Sequence, residues 1–362
     1  MRLIIDAHLD LGWSAVSFER DLTLCLDEMR RREAGMTDER CRGKGVVSLP
    51  ELRRAGVGVA VATLLARGGP AQTRQPHGYK RSDLDFATQP IAYAAAHGQL
   101  AYYRLLESQG HLRILRTRGD LDAHWAAYRA QPDSTPLGII LSMEGADPIV
   151  EVDQVQEWWD NGLRAVGPAH YGRSHYAYGT GVDGPLSEAG VELLRKMERV
   201  GIVLDVTHLS DQSFWQAMAV YHGPVLASHH NCRAIVPGDR QLTDEQIKVL
   251  LERDAVIGVS FDAWMLYPNW IRGKTGPEVV NIAAAADHID RVCQLAGNCR
   301  HSAIGSDLDG GFGHEQTPRD LKSIADLQNL AEILSSRKYS DADIDAIFHA
   351  NWLRFFRRCL PA

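Results

Sequence analysis

Eight short apolar runs rich in Val, Ile and Leu punctuate the chain, at residues 3–5, 57–65, 137–143, 163–166, 202–206, 225–227, 256–261 and 302–304. Runs of this length that are apolar almost throughout suit strands buried on both faces of a parallel sheet. Between them the apolar period lengthens to that of a helix. Residues 89–110 carry Ala and Leu at helical spacing, Ser187 stands as N-cap of a helix that begins at Glu188, and Thr243 with Gln246 has the spacing of a capping box. Eight strands alternating with helices predict an α/β fold of the (β/α)8 TIM barrel type, in which every strand C-terminus opens on one face.

No Pro/Gly/Ser linker, internal repeat or low-complexity tract divides residues 1–362, so the chain reads as one domain. Two stretches interrupt the alternation: a charged one at 18–45 and a loop-like one at 66–81. Both follow early strands, on the side where a barrel admits its substrate. A net charge of −7 without any basic run argues against nucleic acid as partner and for a small molecule. Nowhere do the roughly 18 consecutive apolar residues of a transmembrane helix occur, and the first residues lack an apolar leader, so a cytoplasmic protein without membrane contact is expected. Six cysteines are scattered without a CxxC pair, which fits reduced thiols and not a zinc knuckle.

Ligand-type residues gather where the predicted strands end. His8 and Asp10 stand two apart at the end of the first strand, and alternation sends both to one side. Glu144 ends the third strand, His170 the fourth, His208 follows the fifth, His229 and His230 the sixth, and Asp307 and Asp309 the eighth. Each has an ordinary structural explanation by itself, such as an ion pair, a core imidazole or a helix cap. A cluster of buried acids and imidazoles at one barrel mouth has no such explanation, because each costs several kcal/mol to desolvate unless a cation compensates it. Two divalent ions bridged by one carboxylate would supply that compensation, and would lower the pKa of a shared water while polarising a carbonyl.

In order and spacing, Asp6-Ala7-His8-Leu9-Asp10, Glu144-Gly145, Asp205-Val206-Thr207-His208, Ser228-His229, Arg240-Gln241-Leu242-Thr243-Asp244 and Gly305-Ser306-Asp307-Leu308-Asp309-Gly310 resemble the renal (membrane) dipeptidase family, peptidase family M19, of the amidohydrolase superfamily. The resemblance implies a zinc metallo-dipeptidase with two Zn²⁺ per chain. It implies His8 and Asp10 as ligands of one ion, His208 and His229 as ligands of the other, and Glu144 as the bridge. It further implies that His170 contacts the substrate near the scissile carbonyl, that Arg240 holds the terminal carboxylate, and that Asp307 is the acid/base. A homodimer, and tolerance of a D-residue at the C-terminal position of a dipeptide substrate, are implied in the same way. Of the two adjacent imidazoles, alternation allows one to reach the metals; the family resemblance, through the spacing to Arg240, implies His229, with His230 as the alternative.

The chain departs from the family at Val61-Ala62-Thr63 after the second strand and at Ser260-Phe261-Asp262-Ala263-Trp264 after the seventh, positions expected near the substrate and not on the metals. These departures keep open a hydrolase of another small amide or lactam, such as an N-acyl amino acid. A catalytically silent metal-binding protein would have lost a ligand or Asp307, and all are present. A mononuclear deaminase-type barrel would need His-x-His where this chain has His8-x-Asp10.

Overall fold

In a computed structural model of the chain, which describes residues 1–68 and 84–362, all eight apolar runs form strands. These are β1 (Ile4–Leu9), β2 (Val57–Leu65), β3 (Leu137–Glu144), β4 (Leu163–Gly167), β5 (Val203–Asp205), β6 (Val225–Leu226), β7 (Ile257–Val259) and β8 (Ser302–Ile304). The first six form a continuous parallel ladder in sequence order, and a short strand at Leu112–Ile114 pairs on β3. One bridge, Ala227 to Ile257, leads on to the parallel pair β7 and β8. The architecture is mixed α/β with a curled parallel sheet.

Closure of a full barrel would need a ladder between β8 and β1, and among the described residues there is none. Two bonds draw that seam together instead. The Ser306 N–H donates to Asp6 Oδ1 at 2.8 Å and the Asp307 N–H to the His8 carbonyl at 3.3 Å.

Alternation along the strands sorts the core into two layers. Ile5, Ala7, Val59, Val61, Ile140, Ala165, Val203, Leu226, Val256 and Ala303 face inward and pack on Trp352, Phe355 and Phe356 of the C-terminal helix Asn351–Cys359. Trp352 Nε1 donates to the Ile304 carbonyl at 2.8 Å. That helix stoppers one end of the curl and leaves the other end to polar chemistry. The outward residues pack on the surrounding helices, among them Gln89–Ser108, Glu188–Val200 and Ala283–Ala296.

Both expected helix starts are present. Ser187 accepts the Gly190 N–H at 2.9 Å, and Thr243 and Gln246 close a reciprocal capping box. The charged stretch 18–45 folds back over the strand ends, where Phe18 and Glu39 line the substrate-side cleft. The stretch 66–81 lies outside the described residues from 69 onward. No helix among the described residues is long and apolar enough to cross a membrane.

Candidate metal centre

Inner-face alternation carries side chains straight from core to site. On β2 the series Val59, Val61 continues to Thr63, and on β3 Ile140 continues through Ser142 to Glu144. β1 departs from this rule. Ile5 and Ala7 face inward while Ile4 and Leu9 face outward, so uninterrupted alternation would point His8 away. The pairing of β1 with β2 shifts register between Asp6 and Leu9, and this irregularity turns His8 inward beside Asp10. His208 and Asp307 sit just past their strands with φ of 68° and 61°, a left-handed conformation that non-glycine residues adopt mainly where a site demands it. Beneath them Gly305 is obligatory, since a Cβ there would lie 1.7 Å from the Ser228 carbonyl oxygen.

Glu144 is the hub. Its Oε2 lies 3.5 Å from His8 Nε2, and its Oε1 lies 3.1 Å from His208 Nε2, 3.3 Å from His229 Nε2 and 3.7 Å from His170 Nε2. His8 Nε2 is also 3.7 Å from Asp10 Oδ1 and 3.9 Å from Asp307 Oδ1. Three sets of ligand atoms therefore converge: His8 with Glu144 and His229, Glu144 with His170 and His208, and His8 with Asp10 and Asp307. His8 Nε2 and Glu144 Oε1 are buried without a hydrogen-bond partner, an expensive state that bound cations would relieve.

The protonation pattern reports the same frustration. Burial pushes the Glu144 carboxyl upward and the Asp307 carboxyl far upward. Burial opposes a charge on His8, yet Glu144 and Asp10 outweigh it and hold that imidazole well above its usual range. His170, His208 and His229 are driven well below theirs, first by burial and then by neighbouring cationic groups such as Arg240. Imidazole nitrogens and carboxylate oxygens gathered in this way form a donor set suited to a divalent transition metal.

Second partners assign each ring a task. Thr180 Oγ1 lies 2.9 Å from His208 Nδ1 and Ser228 Oγ 2.9 Å from His229 Nδ1, so each Nδ1 can carry its proton and leave Nε2 as a lone-pair donor. His170 is different. Arg67 Nη1 lies 3.4 Å from its Nδ1, and arginine only donates, so Nδ1 accepts and the ring proton sits on Nε2. In that tautomer Nε2–H would face Glu144 Oε1, 3.7 Å away, and the same ring belongs to one of the three convergent ligand sets. Arg67 is itself fixed by Asp85 at 2.7 Å. Thr63 Oγ1 donates to Asp10 Oδ1.

The expected residues His8, Asp10, Glu144, His170, His208, His229 and Asp307 thus meet at one strand-end face. His230 does not join them: its N–H donates to the Gly258 carbonyl, and its ring belongs to none of the convergent sets. Asp309 is also elsewhere, accepting the Val46 and Val47 N–H groups beside Arg20. Arg240 is 1% exposed, donates through Nη2 to the His229 carbonyl at 3.0 Å, and keeps Nε and Nη1 buried and unpartnered. A cleft of about 610 Å³ opens over the cluster, walled by Trp13, Tyr171, Asp262, Trp264, Trp270 and Phe312.

The sequence reading does not find the contacts of Thr63, Thr180 and Arg67; Thr63, expected near the substrate, donates to Asp10. Alternation from Val59 and Val61 could have found Thr63; nothing local to Thr180 or Arg67 signals their rings.

The sequence profile of the membrane dipeptidase family, peptidase family M19, matches residues 2–360. An uncharacterized protein in the pqqA 5′ region of Klebsiella pneumoniae is 28% identical over 272 residues, 72% of this chain and 94% of that protein. Matches to uncharacterized or named fungal dipeptidases span about half of those proteins' length. Among solved structures, the fold is similar to that of a dipeptidase AC, a metallopeptidase of family M19 (TM-score 0.79, 21% identity, 100% of this chain and 99% of that one). It is also similar to that of a Rhodobacter sphaeroides metallopeptidase liganded with a phosphinate mimic of the dipeptide L-Ala-D-Ala (TM-score 0.78, 21% identity, 99% of both chains).

Proposed function

Because the chain belongs to the membrane dipeptidase family, peptidase family M19, we propose that it hydrolyses dipeptides at a centre of two divalent ions, Zn²⁺ as first choice. The observation that carries this reading is the geometry of Glu144, which offers Oε2 toward His8 and Oε1 toward His208 and His229. In this reading His8 and Asp10 would hold one ion, His208 and His229 the other, and Glu144 would be shared between them. The curled sheet then counts as one eight-stranded barrel domain whose β8–β1 seam is held by Asp6 and the His8 carbonyl.

When bound, such ions activate a water near neutral pH and polarise the peptide carbonyl. The remaining steps belong to side chains. Asp307, beside His8, would take the water's proton in its carboxylate form and return it to the leaving amine, and burial raises its affinity for that proton. His170 Nε2–H donates to the carbonyl oxygen as negative charge develops there. Arg240, with two free buried donors, receives the terminal carboxylate as a planar fork. The L-Ala-D-Ala mimic bound by the Rhodobacter sphaeroides protein supports tolerance of a D-residue at the C-terminal position.

Elemental analysis of purified protein should find close to two divalent ions per chain. Chelation should abolish dipeptide hydrolysis and Zn²⁺ should restore it. Full activity in a metal-free preparation would overturn the proposal, and a single ion per chain would reduce Glu144 from bridge to simple ligand.

A further inference from the structure

One wall of the cleft holds an acid that the hydrolytic chemistry does not use. Asp262 follows β7 and caps the short helix Ala263–Leu266, with Oδ1 accepting the Trp264 N–H at 3.2 Å. Gln316 Nε2 lies 2.9 Å from both of its carboxylate oxygens. The residue is 5% exposed, yet it lines the cleft together with Trp264 and Trp270. Both of its hydrogen-bond partners are neutral amides, and among the described residues it forms no ion pair; Arg272, which lines the same cleft, and Arg240 act on it only at longer range.

A desolvated carboxylate without a cation is costly. Asparagine would cap the helix as well as aspartate does and would still bond to Gln316. The charge therefore answers to something outside the folded chain. Burial pushes the free carboxyl up to about 7, as expected of an acid whose counter-ion arrives with a ligand.

We propose that Asp262 is the counter-charge for a basic side chain of the substrate, so that the enzyme favours dipeptides carrying an ammonium- or guanidinium-bearing residue. This inference rests on the dipeptidase reading. A dipeptide's own α-ammonium sits two bonds from the reacting carbonyl carbon, which keeps it beside the ligand cluster and Asp307, a residue that feels the Asp262 charge only through space. Asp262 is in none of the convergent ligand sets but lines the cleft, where a substrate side chain extends further from the reacting centre than the α-ammonium does. Trp264 and Trp270 supply apolar faces for an aliphatic stem and π-faces for its cationic head.

The test compares isosteric twins on the metal-loaded enzyme: alanyl-lysine against alanyl-norleucine, and lysyl-alanine against norleucyl-alanine. The lysine member of at least one pair should show about tenfold or greater kcat/KM, the discrimination expected of a hydrogen bond to a charged group. Asp262→Asn should bring that ratio to near parity, chiefly through KM. Because each ratio is taken within one preparation, partial misfolding of the variant cancels. Equal rates within both wild-type pairs, or a preference that survives Asp262→Asn, would overturn the inference alone. Cleavage of none of the four peptides would overturn the dipeptidase reading and the inference with it.

Discussion

Replacing Arg240 tests substrate recognition most directly, because the structure leaves its charge unfinished. The guanidinium has one bond, from Nη2 to the His229 carbonyl at 3.0 Å, while Nε and Nη1 are buried without partners. A substrate carboxylate would complete the fork with two charge-assisted bonds, each worth about 1.5–3 kcal/mol. Allowing for non-additivity, Arg240→Ala should lose about 3–5 kcal/mol of transition-state binding for free dipeptides, roughly 100- to 5,000-fold in kcat/KM. Dipeptide C-terminal amides present no charge to the fork. They should lose only what damage to the His229 carbonyl contact costs, a loss common to both substrates, so the ratio of the two isolates the carboxylate contact. Arg240→Lys keeps the charge without the fork and should fall between. Steady-state kinetics on one dipeptide and its amide suffice. Equal losses on both, or a wild-type enzyme that cleaves the amide as readily as the acid, would refute the assignment and revive the broader amide hydrolase.

Three further outcomes are expected. Asp307→Asn should keep its metal, since the amide preserves shape, while turnover drops about 10²–10⁴-fold; near-normal kcat would mean another group moves the proton. Thr63→Val removes the hydroxyl that orients Asp10 and should weaken metal affinity about 10–100-fold in a competition titration with a chelator, with unchanged affinity dismissing that bracing role. His288, whose Nδ1 accepts the Cys232 N–H, is pushed down to about 3 by burial, so it must charge when the chain unfolds in acid. Its contribution is fully present above about pH 6.5 and is lost as pH falls toward 3, at ~1.4 kcal/mol per pH unit. Denaturant titrations between those limits should show a shallower acid loss for His288→Gln than for wild type, and parallel curves would contradict the sign.

Much of the fold was legible because parallel strands buried on both faces must be apolar throughout, and all eight runs read that way became strands. Caps were legible for a similarly local reason: Ser187, and Thr243 with Gln246, satisfy helix N–H groups within three residues of themselves. Closure of the sheet was not. It depends on Asp6 meeting Ser306 across 300 residues, and no local pattern encodes that meeting.

The site divides along the same line. Glu144 lies where inner-face alternation on β3 sends it, whereas His8 reaches the cluster only because β1 slips register against β2 between Asp6 and Leu9. Counting by twos made His8 and Asp10 companions, and they are, but through an irregularity that undoes the alternation used to predict it. Arg67 shows the other limit. Its influence on His170 is a choice of which ring nitrogen holds a proton, and that choice exists only once β2's end has been carried to within 3.4 Å of a side chain 103 residues away. The cluster at the strand ends could be read from residue types alone, but which ring nitrogen each imidazole can turn toward it as a lone pair or as an N–H depends on Thr180, Ser228 and Arg67, whose positions the fold alone determines.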